Sequence, residues 1–322
     1  MSRQHVGHKE IVSFAEARVN LRREDVADHR QQVWRLRDKL EGYLNDHPDF
    51  TLRKMMLSGS LAKGTALRTL NDIDVAVYVS GSDVPADVAK LLEYLAEKLR
   101  KAFPNFTADQ IKPQTYSVTV SFKGSGLDVD VVPILYAGDP DWRGQLVSQD
   151  DGSFLETSIP LHLEFLRKRK KEHGANFAQL IRLVKFWARR RKMESDQFRF
   201  KSFMIELILA KLADDGMNLS DYPEALQGFF TYIADVELVR QISFTDYYPQ
   251  CDVSVNAGDR VKIIDPVNCA NNVSRLYKDA EVRLISSAAM EAGDAIDWAL
   301  SAPTKGDTVA AWQDVFGPAF SA

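Results

Sequence analysis

Residues 72–79 read Asp-Ile-Asp-Val-Ala-Val-Tyr-Val, a β-branched, apolar run opening with two carboxylates two positions apart. Bounded by Asn71 and by Ser80-Gly81, it is predicted to form a central strand. Side chains alternate faces along a strand, so Asp72 and Asp74 point the same way. Two carboxylates on one face of an apolar strand repel each other and resist burial. A divalent cation resolves that conflict. Carboxylate oxygens suit Mg²⁺, which keeps several waters and takes further ligands from substrate phosphates.

Two other segments complete the pattern. Downstream, Asp128-Val129-Asp130-Val131-Val132-Pro133 is a second acidic, β-branched run, able to supply a third carboxylate from a neighbouring strand. With it, two ions roughly 3.5 to 4 Å apart can stabilise the attacking and leaving oxygens of an in-line displacement at phosphorus. Upstream, Gly59-Ser60 opens a small-residue turn, residues 58–65, that enters a short helix. A Gly lets backbone approach a phosphate, and a Ser hydroxyl can hydrogen-bond it. The turn is not a Walker loop, because Thr65 follows Gly64 where that motif requires Lys. Alone, Gly-Ser is an ordinary turn and Asp-Ile-Asp a strand-edge pair. In this order, on strands, they point to metal-assisted chemistry on a triphosphate.

Composition narrows the class. The 322 residues are 45% hydrophobic, 10% aromatic and 27% charged, which suits a globular chain rather than a disordered one. No apolar stretch approaches the ~18 to 20 residues needed to cross a bilayer. The N-terminus lacks a signal-peptide core, and the two cysteines, Cys251 and Cys269, form no disulfide framework, so a reducing cytoplasmic location is expected. The net charge is −4, but residues 165–201 hold 13 Lys and Arg against 3 Asp and Glu. That leaves about −14 on the rest and suggests an anionic ligand near the basic sector. A solvated helix face is the alternative.

The expected organisation is α+β. A long first helix spans Arg23 to Asn45 and ends at Asp46-His47-Pro48. Then come a strand at Leu52–Leu57, the strand above, an amphipathic helix at Val84–Phe103, and strands at Ser117–Phe122 and Leu127–Leu135 joined by a Gly-rich hairpin. A boundary near residues 157–160 divides a catalytic core, residues 1–160, from a helical lobe, residues 161–322. The clearest helices there are Asn176–Met193, Ser202–Asp214, Tyr222–Ala234 and Leu276–Leu300, with a loop-rich interval at Tyr247–Arg275.

Gly-Ser, about a dozen residues, Asp-x-Asp on a strand and a later third Asp together resemble the signature of DNA polymerase β-like nucleotidyltransferases. With Ile181–Trp187 and Ile263–Val273, the chain resembles the oligoadenylate synthase and cyclic GMP-AMP synthase branch. Within that branch it is most similar to bacterial CD-NTases, the cyclic-oligonucleotide synthases of anti-phage signalling. The resemblance implies a bilobed nucleotidyltransferase that condenses nucleoside triphosphates, ATP favoured, into a cyclic oligonucleotide. Similarity to a HORMA-associated subfamily favours cyclic tri-AMP. Linear oligoadenylate synthesis or RNA tailing is the nearest enzymatic alternative, and a catalytically silent nucleic-acid sensor is an alternative of another class.

Residue by residue, the resemblance makes Asp72, Asp74 and Asp130 the catalytic, metal-holding carboxylates, with two Mg²⁺ ions (Mn²⁺ can substitute). It assigns Gly59, Ser60, Lys185 and Ser202 to the nucleotide phosphates. It further implies a HORMA-domain partner, an AAA+ ATPase regulator, duplex DNA as a possible ligand, and no membrane. Asp128 faces the same side as Asp130 and is either a supporting group or solvated. Arg182, Lys185 and Arg189 share one helix face, so a surface lysine is the plain alternative at Lys185. A helix N-cap is the alternative at Ser202. Phe203 either stacks on a base or packs in the core. Asp265-Pro266 is expected to be scaffold first and a ligand contact second, and Tyr78 and Trp142 to be packing residues.

Overall fold

The structure is a computed structural model describing residues 5–45, 51–70, 72–81, 84–85, 87–148 and 153–322. In chain order the elements are α1 (His8–Phe14), a π-helical turn (Ala15–Val19), α2 (Arg23–Asn45), β1 (Thr51–Leu57), α3 (Gly59–Lys63), β2 (Asp72–Ser80), α4 (Val88–Ala102), β3 (Ile111–Pro113), β4 (Val118–Phe122) and β5 (Leu127–Tyr136). They continue as β6 (Gly144–Val147), β7 (Phe154–Thr157), α5 (Ile159–His173), α6 (Ala175–Glu194), α7 (Ser202–Asp214), α8 (Tyr222–Val236), α9 (Asp279–Ser301) and α10 (Lys305–Phe316). The chain forms two compact units, Leu21–Glu164 and Met1–Asn20 with Phe165–Ala322.

The first unit is a mixed sheet in the order β1-β2-β5-β4-β3, with β6 also on β5 and β7 on β6. Among the described strand pairs, β2 and β5 run parallel and the others antiparallel. Alternation along β2 explains its two faces. Ile73, Val75, Val77 and Val79 join Val129 and Val131 of β5 in a core with Val33, Leu36 and Leu40 of α2 and Leu91, Leu95 and Leu99 of α4. The intervening residues Asp72, Asp74, Ala76 and Tyr78 face the other way. Ala76 and Tyr78 pack there with Ile134, beside Tyr136 and Trp142. Tyr136 and Trp142 stack at 4.7 Å, and the Tyr78 hydroxyl accepts the Ile159 N–H at 3.0 Å. Burial pushes that phenol up to about 12, so it stays un-ionised.

The second unit is helical. Trp187 of α6 is fully buried against Phe230 of α8, ring centroids 4.7 Å apart. Phe14 of α1 lies against Phe186, Phe316 and Phe320. The Phe14 contacts join the first twenty residues to the helices of residues 165–322, and the two units meet between Glu164 and Phe165, within α5. Arg169 of α5 sits between Asp214 and Asp246, at 2.5 and 3.1 Å.

Several sequence expectations shift. The first helix is α1, not α2; only seven residues long, it gives too little periodicity to read. The helix expected from Val84 begins at Val88, because the Asp87 carboxylate caps it by accepting the Lys90 N–H at 2.9 Å. The helix expected from Leu276 begins at Asp279, where Glu281 accepts the Lys278 N–H at 3.1 Å. Helices α5 and α10 and the short strands β3, β6 and β7 were not foreseen. The Asp46-His47-Pro48 stop and Asn71 lie outside the described residues. The interval 247–275 is loop-rich as expected, with one 3₁₀ turn at Gln250–Asp252. Both cysteines are free. Among the described residues no helix is long and apolar enough to cross a membrane.

Arg169→Ala leaves two partly buried carboxylates without their shared cation. It is expected to cost about 3 to 5 kcal/mol, read as a lowered urea midpoint.

Candidate active site

The site grows out of the pairing of β2 with β5. Their parallel register sets Asp72 opposite Asp128 and Asp74 opposite Asp130. Paired residues in a sheet share a face, so four carboxylates gather at one end of adjacent strands roughly 4.8 Å apart. Isoleucine and valine alternate with them into the core, which fixes this side as the acidic one.

The Gly-Ser turn is built against the same strands. The Ser58 N–H donates to the Asp74 carbonyl at 2.9 Å, tying the end of β1 to β2. Gly59 then adopts φ +58, and a Cβ there would lie 1.8 Å from Asp74 Oδ2. Glycine is required twice at this position, by backbone conformation and by the carboxylate lying against its Cα. The Ser60 carbonyl accepts the Thr65 N–H at 2.9 Å, closing the five-residue helix α3.

Asp130 has a hydroxyl partner on the neighbouring strand. Thr119 of β4, its cross-strand partner, donates its hydroxyl to Asp130 Oδ1 at 2.5 Å. Burial, and then the charges of Asp72 and Asp128, hold the Asp130 carboxyl above the usual carboxylate range, against the opposing Thr119 bond. Tyr116 is raised by burial and by Asp130, Asp74 and Asp72, so its phenol feels three of the same charges. This crowding of negative charge is what a divalent cation relieves, and the donor set is hard oxygen throughout. Among the described residues no three His, Cys, Asp or Glu side chains stand close enough to cage an ion alone. The rest of its shell would therefore be water and substrate phosphate, as Mg²⁺ favours.

Lys185 and Ser202 belong to the helical unit. Lys185 is not the surface lysine that its helix face suggested. It is 7% exposed and lies 3.5 Å from Glu206 of α7, itself 2% exposed. Arg182 is also withdrawn, with Nε donating to Asn20 at 2.9 Å and Nη2 to Gln179 at 2.7 Å. Ser202 is exposed and is the first residue of α7; Lys201 holds the cap position, so the N-cap alternative falls. Asp265 behaves as scaffold. Its carboxylate accepts the Val267 N–H at 2.8 Å and the Asn271 amide at 3.1 Å. Thr119 and Tyr116 were missed by sequence reading, because cross-strand neighbours carry no local signature.

An acidic strand end set against a Gly-Ser turn is the arrangement of polymerase β-like nucleotidyltransferases, and this fold defines that class. Residues 37–145 match the nucleotidyltransferase domain family. The chain is 63% identical, over 320 residues and 99% of both chains, to a cyclic AMP-AMP-AMP synthase of Escherichia coli (strain MS 115-1). Its structure is similar to that of E. coli MS115-1 CdnC with ATP, at a TM-score of 0.94 and 63% identity over 99% of this chain and 100% of that one. Against CdnC in the E. coli MS115-1 CdnC:HORMA-ΔN complex the TM-score is 0.92, at 62% identity over 99% of both. The chain belongs to the CD-NTase family of cyclic-oligonucleotide synthases, enzymes that use divalent metals.

Two outcomes follow from this geometry. Gly59→Ala forces the turn and the Asp74 carboxylate apart, and nucleotidyl transfer is expected to fall by at least about 100-fold in a pyrophosphate-release assay. Ionised Asp130 opposes folding as pH rises through its raised pKa, whereas asparagine removes the charge and keeps an acceptor for Thr119. Asp130→Asn is therefore expected to raise the metal-free melting temperature near about pH 7, and to leave it unchanged near about pH 3, by differential scanning fluorimetry.

Proposed function

We propose that this chain is a template-independent synthase that joins ATP into cyclic tri-AMP, with release of pyrophosphate, in anti-phage signalling. The observation carrying this reading is 63% identity, over 99% of the chain, to a cyclic AMP-AMP-AMP synthase. The in-register carboxylates of β2 and β5 support chemistry at a triphosphate.

Asp72, Asp74 and Asp130 are the residues that hold two divalent ions, Mg²⁺ in the first place. When bound, the ions neutralise charge on the reacting phosphate and favour ionisation of the attacking ribose hydroxyl. Asp72 and Asp74, presented on one face, would hold the ions that bind the triphosphate end of the substrate. Asp130 fixes the position of the attacking ribose hydroxyl. The Gly59 backbone and the Ser60 hydroxyl bind phosphate oxygens close to Asp74. Lys185 and Ser202 are assigned to the nucleotide phosphates on the family resemblance, with Glu206 lying 3.5 Å from the Lys185 amine. Catalysis is then chiefly positioning and charge neutralisation. A HORMA-domain protein is the proposed partner, on the strength of the complex formed by the 62%-identical CdnC.

The test is incubation of the full chain with ATP and Mg²⁺, with and without the neighbouring HORMA-domain protein, followed by phosphatase treatment and mass spectrometry. A phosphatase-resistant ring of three AMP units is expected, and none from the Asp72→Asn/Asp74→Asn variant. A phosphatase-trimmed linear product would overturn ring closure, and a product that persists in the variant would overturn the carboxylate assignment.

A further inference from the structure

We propose that Thr119 is a positioning residue for the metal-holding carboxylate Asp130, fixing one carboxylate oxygen through its hydroxyl so that the other is presented to a divalent cation. The inference rests on the reading of Asp72, Asp74 and Asp130 as metal ligands.

Asp130 has a neighbour on each side in the sheet, Asp74 on β2 and Thr119 on β4. The Thr119 hydroxyl donates to Asp130 Oδ1 at 2.5 Å, within the range of a charge-assisted O–H···O⁻ bond. Threonine suits this place because its β-branch restricts χ1 in a strand, so the hydroxyl is held in one direction. Two residues along the same strand pair, Ser121 faces Asp128, and among the described residues no hydrogen bond joins their side chains. The strand pair therefore holds Asp130 and leaves Asp128 unheld. Outer groups that orient a metal-ligating carboxylate typically change metal affinity or activity when removed, even though they never touch the ion.

The experiment is Mn²⁺ binding to the full chain with a non-hydrolysable ATP analogue, measured by titration calorimetry, beside the metal-free melting temperature and the kcat and KM for ATP. Thr119→Val removes the hydroxyl at nearly constant shape, and Thr119→Ser retains it. Thr119→Val is expected to weaken Mn²⁺ binding about 10- to 100-fold, lowering kcat more than it raises the KM for ATP, at a near-unchanged metal-free melting temperature. Thr119→Ser is expected to bind close to wild type. If Thr119→Val does not fold, Thr119→Ala takes its place. Wild-type Mn²⁺ affinity in Thr119→Val, or a Thr119→Ser as weak as Thr119→Val, would overturn the positioning role. Asp74→Asn is the control that separates the two readings. Unchanged Mn²⁺ binding there would remove the metal assignment, and this inference with it.

Discussion

The parallel register between β2 and β5 is the constraint on which the candidate site depends. It is fixed by packing, not by the carboxylates. Val75, Val77 and Val79 on one strand and Val129 and Val131 on the other enter the same core beneath α2 and α4. A slip of one residue would send those valines to the open face and the aspartates inward. Since burying an unpaired carboxylate is costly, both ends of the alternation reject the slip. The hydrophobic core thus aligns Asp74 with Asp130 without any attraction between them. Like charges are assembled by apolar burial, and the Asp130 carboxyl is raised first by its own burial and then by the charges of Asp72 and Asp128.

Around that alignment, neighbouring elements limit where the acidic groups can go. Gly59 leaves room for the Asp74 carboxylate, and the Ser58 N–H anchors the turn to the Asp74 carbonyl, so turn and strand cannot move separately. On the far side, Thr119 directs Asp130. Further along the same face, the acidic character ends at Ala76 and gives way to the Tyr78, Tyr136 and Trp142 cluster. One face of one strand pair therefore holds a polar reactive end and an apolar packed end, set only by which residues occupy alternate positions.

The legible parts of the sequence are those in which one period dominates. The two acidic strands, the Gly-Ser turn, the hairpin between β4 and β5, and helices α2, α6, α7 and α8 all show their spacing within a single segment. What escaped reading was short or non-local. Helix α1 ends in a π-helical turn after seven residues, and β3, β6 and β7 span three or four residues each. In α5 the run Arg167 to Lys171 reads as a charge cluster, masking a helix whose Phe165 and Leu166 are buried. Thr119 has no motif around it; it matters only because the β4–β5 register sets it opposite Asp130.

The basic sector shows how far linear charge can mislead. Residues 165–201 carry a large positive excess in sequence, yet much of it is answered within the helical unit. Asp214 and Asp246 take Arg169, Glu206 takes Lys185, and Glu194 with Glu291 takes Arg191. Arg182 is enclosed by the amides of Asn20 and Gln179, and burial lowers its pKa. Charges sequestered in this way contribute little field at the surface, because acids from distant segments cancel them. What remains exposed is a smaller set on α5 and α6, including Arg167, Lys171 and Lys192. Lys185 therefore cannot act as a simple surface cation. Any phosphate it meets must compete with Glu206, and removing Glu206 would leave a buried lysine whose charge is penalised by desolvation. The acid that weakens the lysine's field is thus also the counter-charge that offsets the cost of its burial.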